Sequence, residues 1–287
     1  MMRYRVLMAL AMVLLGTSVV SAHDLFIKLE SYYLEPNTEV TVPILNSSFI
    51  LSENAIMRDR VIDISLVSAA GRTHIDTTMW SGDTTAVDTT FLQIQTGDPG
   101  TYIVGASTKP RELGMSGHDF NEYLAHDGIP DILAARADVD TTNEEVWERY
   151  AKHVKAVLQV GDKASKPKTW WRFWGEKNPA YLTRLGYPAE IVPLENPYAM
   201  KVGDELSFLI LVDGEPVANQ NVLLGGEQGG ELFEGEIEAR SDAEGVVRFV
   251  IDKPGNWYVE FIHMAPVETE EDLDYESKWA TLAFEMR

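Results

Sequence analysis

Six histidines carry most of the chemistry this chain offers: His23, His74, His118, His126, His153 and His263. His23 stands apart because the residues before it read as a removable leader. Arg3 and Arg5 make a short positive start, and Val6 to Val20 is apolar apart from Gly16, Thr17 and Ser18. Val20-Ser21-Ala22 then presents the small residues that a signal peptidase reads. Cleavage between Ala22 and His23 would leave a chain beginning His23-Asp24-Leu25-Phe26. A terminal histidine joins its α-amino group and its Nδ1 in one chelate ring, and both groups titrate near neutrality. His23 is therefore the first candidate metal ligand; the competing explanation is that a histidine follows the cleavage point by chance.

His263 shares strand parity with Trp257, Val259 and Phe261, which points it to their buried face beside Met264. It is a second candidate ligand, set against an ordinary hydrogen-bonded, half-buried histidine. His118, Glu122 and His126 fall at i, i+4 and i+8, so one helix face presents all three. The His-Glu-x-x-His arrangement of zinc proteases is absent, and a solvated polar face explains the trio equally well. The first partners expected to fold against His23, as in a copper-binding histidine brace, are His263 and His118. Imidazole suits nickel, cobalt, copper and zinc. His153 lies near an apolar stripe and reads as packing, and His74 follows a turn at Gly71.

Other chemistries are poorly provided for. There is no Gly-x-Ser-x-Gly elbow, phosphate loop or dinucleotide fingerprint, and binding is expected rather than catalysis. Glu268 to Asp274 reads as a solvated acidic loop, with a weak calcium site as the alternative. Trp170-Trp171-Arg172-Phe173-Trp174 supports a rival function, an envelope interaction module gripping a glycan or protein; the same rings would also serve as a wedge between domains.

The 287 residues carry 45 acidic against 24 basic side chains, a formal net charge of −21. Such a field repels nucleic acid and anionic membranes and attracts cations without choosing among them. The chain has no cysteine, so no disulfide or thiolate site is expected, nor a leader converted into a lipid anchor. Past Val20 no apolar stretch approaches the ~20 residues that span a bilayer. The expected product is periplasmic or secreted.

Period-two patterning predicts a mainly β chain of two immunoglobulin- or transthyretin-like sandwiches. The first occupies residues 23–161, after the signal peptide at 1–22. Its strands include those around Leu25, Val40–Leu45, Val61–Val67, Phe91–Ile94 and Thr101–Ala106. It ends in a helical insertion: Ser116 with Asp119 caps one helix, with Phe120, Tyr123 and Leu124 on its inner face. Thr142 with Glu145 opens another, whose Val146, Tyr150, Val154 and Val157 make an apolar stripe. Residues 162–184 form a basic, aromatic connector, and 185–287 the second sandwich, with turns at Asp213-Gly214-Glu215-Pro216, Ser241 to Gly245 and Lys253 to Asn256.

Leu185-Gly186-Tyr187-Pro188-Ala189-Glu190-Ile191-Val192-Pro193-Leu194, then Asn196-Pro197-Tyr198, resembles the entry to the second domain of the bacterial domain of unknown function 4198 family. Asp213 to Val217, Ser241 to Gly245, Lys253 to Val259 and Tyr275 to Glu285 are similar to its later turns and strands. The start at His23 and Phe120 to Leu124 fit its first domain. The resemblance implies an exported β-rich protein, and some relatives are described as periplasmic components of nickel or cobalt uptake. It therefore implies a nickel or cobalt ion, and an inner-membrane metal transporter as partner; the histidine brace at His23 carries a third alternative, an oxidative copper enzyme. Only His23 is carried over as a ligand.

Overall fold

The computed structural model describes residues 24–82, 88–137, 144–161 and 179–287. His23 and the Trp170 to Trp174 cluster lie outside them. Three sheets account for the strands. The first is antiparallel, with β1 (Asp24–Ile27), β3 (Glu39–Ser47), β7 (Thr90–Gln95) and β6 (Trp80–Ser81) in that spatial order. The large sheet runs β15 (Glu231–Leu232), β14 (Asn221–Gln228), β18 (Gly255–Pro266), β19 (Tyr275–Met286), β10 (Glu145–Val160), β8 (Gly100–Thr108), β4 (Val61–Ser68), β5 (Gly71–His74). Onto it β16 (Ile237–Arg240) joins β14, while β2 (Tyr33–Leu34) and β9 (Arg111–Ser116) join β10. The third holds β11 (Ala189–Pro193), β12 (Glu205–Val212) and β13 (Glu215–Pro216), with β17 (Val246–Val250) on the other edge of β12.

The mainly β expectation holds, and so do most turns. Asp213 and Gly214, with φ of 52° and 85°, make the tight reversal between β12 and β13 that a left-handed pair of residues permits. The first helix is also where the sequence puts it. Helix α1 (Gly117–His126) starts at Ser116, whose hydroxyl accepts from the Asp119 amide at 3.1 Å. It buries Phe120, Tyr123 and Leu124. Helix α2 (Pro130–Arg136) follows.

The second expected helix is a strand. Residues Glu145–Val160 form β10, sixteen residues long and the longest element described. The misreading has a physical cause. Val146, Tyr150 and Val154 are spaced by four, and four is an even number, so the stripe is as compatible with period two as with 3.6. Both faces of the strand's second half are buried, which removes the polar alternation that marks a one-sided strand.

β10 also ties together the two expected sandwiches. It pairs antiparallel with β8 and β9, and parallel with β19 from Glu148–Tyr275 to Ala156–Ala283. Strands from both sides of the expected connector thus share one sheet, and one apolar core runs from Leu25 to Met286. A smaller core packs α1 against this sheet through Met115, Phe120, Tyr123, Val146 and Trp279.

Two charged groups of β10 are anchored in these cores. Lys155 and Glu190 are nearly inaccessible and meet at 2.9 Å. Lys155 also donates to the Ile191 carbonyl, and Glu190 accepts from the amides of Leu185 and Gly186. Glu148, fully buried, accepts from the hydroxyls of Ser277 and Tyr123. Burial outweighs those bonds and raises the Glu148 carboxyl to about 7.

Two outcomes follow. Lys155→Met leaves a buried carboxylate without its cation and should cost about 3–5 kcal/mol of unfolding free energy in urea titration. A carboxyl whose folded pKa is raised holds its proton in the native state while the unfolded chain gives it up. Stability should therefore fall as pH rises from about 4.5 to about 7. Glu148→Gln should remove a part of that slope worth on the order of 3 kcal/mol, measured by denaturant melts across that range.

Candidate metal site

β1 is held over the large sheet through its backbone carbonyls as well as through its buried side chains. The Leu25 carbonyl accepts from the Thr281 hydroxyl at 2.7 Å, and the Ile27 carbonyl from the Tyr32 hydroxyl at 2.8 Å. Leu25, Phe26 and Ile27 are all buried, so the expected in–out alternation is replaced by burial on both faces. Phe26 packs with Phe49 and Tyr258, ring centroids 5.2 and 4.9 Å away. This fixes Asp24, paired with Ser47 of β3, at the rim of a cavity of about 620 Å³.

Besides Tyr258 of β18 and Ser47, Ser48, Phe49 and Glu53 at and after the end of β3, three other parts of the chain close the cavity. The C-terminal end of α1 supplies His126 and Asp127, where the chain turns away through Gly128 at φ 69°. The segment between β15 and β16 supplies Phe233, Gly235 and Glu236. The floor is Gly225 and Gly226 of β14. Side chains there are excluded: a Cβ on Gly225 would collide with the Tyr258 hydroxyl, and one on Gly226 would come within 2.5 Å of the Asn256 carbonyl oxygen and 2.8 Å of the Phe233 ring.

The cavity wall is acidic and strained in charge. His126 Nδ1 lies 2.6 Å from Asp127 Oδ1, with the imidazole largely in solvent and the carboxylate buried. This bond raises the His126 pKa. Burial raises Asp127 to about 6 despite His126. Asp24 is pushed well above the carboxylate range, first by burial and then by Asp127, with Lys152 opposing. Glu236 accepts from the Tyr258 hydroxyl. Beneath, Asp24, Lys152 and Glu260 line a small void. Glu260 is raised by burial and then by Asp24, while burial lowers Lys152 to about 8. Asp127 Oδ2 and Glu260 Oε2 are buried with no hydrogen-bond partner among the described residues. Buried carboxylate oxygens left this way gain from a cation.

The expected ligands are distributed as follows. His118 is exposed on α1, 3.4 Å from Glu122. His126, eight residues further along the same helix, is about 12 Å away at 1.5 Å per residue, and it alone of the trio's histidines reaches the cavity. His263 projects from β18 on the parity opposite to Tyr258 and Glu260. Its Nδ1 meets Gln220 Oε1 at 3.0 Å in a separate pocket bordered by Gly128 and Asp131, and burial lowers its pKa. His153 is buried against Ser107 at 2.8 Å and lowered to about 4 by burial, as a packing role requires. His74 pairs with Asp63 at 2.8 Å. In the acidic loop, Glu270 pairs with Arg149, and Asp274 accepts from the Trp147 amide. No three His, Asp or Glu side chains among the described residues converge as a complete metal site. Residue 23, bonded to Asp24, lies outside the described residues.

Asp24, Asp127, Glu236, Tyr258, Glu260 and Lys152 were not expected from sequence. Two signals pointed to some of them: the lone acid Glu260 inside Trp257 to Ile262, and the glycine pair Gly225-Gly226 inside an apolar strand.

Comparison with known proteins places the chain by family rather than by a named relative. A search of curated proteins finds no match. Among solved structures, the tetra-tandem repeat in the extending region of a large adhesion protein aligns at 10% identity and a TM-score of 0.20, covering 91% of this chain and 49% of that one. Escherichia coli alpha-2-macroglobulin activated by porcine elastase aligns at 9% and 0.22, covering 92% and 20%. This chain therefore spans about half of the first and a fifth of the second. The two fibronectin type III domain segment from chicken tenascin aligns at 8% and 0.19, covering 90% and 97%. The family profile is a much stronger finding: it matches residues 20–265, and the chain belongs to the family described as domain of unknown function 4198.

Proposed function

We propose that the exported chain, cut between Ala22 and His23, binds one transition-metal ion at the mouth of this cavity and acts as a non-enzymatic carrier or buffer. The amine and ring of His23 supply two nitrogen donors and His126 a third, with the carboxylates of Asp24 and Asp127 alongside. One observation carries this: Asp24, a single peptide bond from His23, lines the same cavity as His126 and Asp127. Consecutive Cα atoms are about 3.8 Å apart, so a chelate at residue 23 stays near that rim.

The donor chemistry supports the same conclusion. Amine and imidazole nitrogens suit nickel, cobalt and copper better than the hard ions that carboxylates alone would attract. The buried Asp127 Oδ2, which has no hydrogen-bond partner among the described residues, belongs to the carboxylate that holds the His126 ring. The family resemblance favours nickel or cobalt, with delivery to an inner-membrane metal transporter.

Calorimetry with nickel and cobalt chlorides on a chain beginning at His23 should give one ion per protein. His126→Gln should weaken binding at least about tenfold, equivalent to about 1.4 kcal/mol. His118→Gln and His263→Gln should leave it unchanged. One extra residue placed before His23 moves the amine off the imidazole's ring and should weaken binding comparably. Unchanged affinity in both the extended chain and the His126 variant would remove this function.

A further inference from the structure

The acids around the cavity beside Asp24 are placed as no single ion could use them. Asp24, Glu53, Asp127 and Glu236 all line it, and no lysine or arginine is among its described lining residues. Yet no three His, Asp or Glu side chains converge among the described residues, so the carboxylates are spread around the space rather than gathered on one point. The Asp127 side chain is only 6% exposed; its Oδ1 meets His126, and its Oδ2 has no hydrogen-bond partner among the described residues. A buried oxygen left this way is costly unless a donor reaches it. Glu236 is exposed and is tied to the wall by the Tyr258 hydroxyl. The space itself, about 620 Å³, falls inside the ~300–1,000 Å³ range of pockets for small organic molecules. Leu232, 47% exposed, and the half-buried Phe233 give it an apolar border. Phe233 is held there by Trp257, with ring centroids 4.6 Å apart. A hydrated inorganic ion gains nothing from such a surface, whereas a ligand's methylene groups gain by covering it.

From these observations we infer that the cavity binds a linear aliphatic diamine or polyamine, whose separated ammonium groups meet the carboxylates of Asp127 and Glu236 and whose methylene chain lies against Leu232 and Phe233. Charge spread along a chain matches acids spread around a wall. Each ammonium group carries three N–H donors and no acceptor, the complement of an ionised carboxylate. The net charge of −21 draws such cations toward the protein without placing them; the cavity supplies the place. Residue 23 takes no part in this site, so it stands or falls separately from the metal ion proposed above.

Calorimetry on the chain beginning at His23, stripped of metal, tests this with putrescine, spermidine, ammonium chloride, magnesium chloride and butanediol at physiological ionic strength. The expected result is a single putrescine or spermidine per protein, no binding of butanediol, and far weaker binding of the two salts. Glu236→Gln changes an exposed side chain, so folding is spared. It should weaken both amines about tenfold, as the loss of one charged hydrogen bond implies, and leave nickel binding unchanged. Asp127→Asn should weaken the amines comparably, with thermal melts by circular dichroism checking that this variant folds. Glu238→Gln removes an equal charge from an exposed position outside the cavity lining and should leave amine binding as it was. Unchanged amine affinity in Glu236→Gln, equal losses in Glu236→Gln and Glu238→Gln, several amines per chain, or magnesium bound as tightly as spermidine would overturn the inference. Nickel affinity, read in its own titration, decides the metal site independently of all four.

Discussion

The parallel pairing of β10 with β19 is the constraint on which everything else depends. Parallel neighbours need a long connection, and here most of the second half of the chain lies between them. That pairing brings Tyr275 to Ala283 alongside Glu148 to Ala156, so the chain's end closes a sheet that its middle began. Antiparallel β18 then continues outward from β19, and β14 from β18. Tyr258 and Glu260 sit on β18, and the glycine floor on β14. The cavity therefore exists only because two distant segments share a sheet. β1, laid over β10 and β19 by the Thr281 and Tyr32 hydrogen bonds, brings the start of the described chain to the same place.

This architecture puts charge inside the protein at a cost that the fold meets unevenly. Lys155 and Glu190 are matched in sign, and the remaining lone pairs of Glu190 take two backbone amides. That arrangement is closed and serves structure. Around Lys152 the balance is different: Asp24, Asp127 and Glu148 all act on one lysine, and Glu260 lies against Asp24 and Asp127. One buried cation cannot compensate three carboxyls, and burial first, with their mutual repulsion, makes them hold protons above their usual range. Two buried charge clusters lie on the same strand, then, and only the second has an unmet demand for positive charge. That contrast is the one the proposed binding site draws on.

Much of the frame was legible in the sequence. Ser116 and Asp119 marked the start of α1, Asp213-Gly214 the hairpin after β12, and alternation most strands, because each of these signals is local. The failures have a common cause in burial. β10 lost its period because both its faces are covered, and its spacing of four satisfied two geometries at once. Leu25 to Ile27 lost theirs for the same reason. The site was harder still. It is assembled from a strand start, a helix end, a glycine floor and a hairpin that are dispersed over more than two hundred residues, and no spacing rule connects them. Parity correctly placed His263 with Trp257 and Phe261, but that is the face turned away from Tyr258 and Glu260. His126 looked like one member of a helical trio until the helix ended there.

The position of His126 has a further consequence for how such a site is built. A helix C-terminus carries partial negative charge, and α1 ends with His126 beside the buried Asp127. Both features favour positive charge at this point, and the His126 imidazole holds its proton above its ordinary range for that reason; in the proposed site the charge is a metal ion on the ring's other nitrogen. Nδ1 is engaged by Asp127, which leaves Nε2 as the free donor and fixes the ring's orientation, the usual carboxylate–imidazole support of a metal-bound histidine. His118 has no equivalent: its contact is a solvent-exposed glutamate on the same helix, and exposed pairs of that kind hold a ring weakly. The buried carboxylate at the helix end, rather than the number of histidines on its face, is what orients one imidazole of α1 and leaves the other unsupported, and the proposed site rests on that difference.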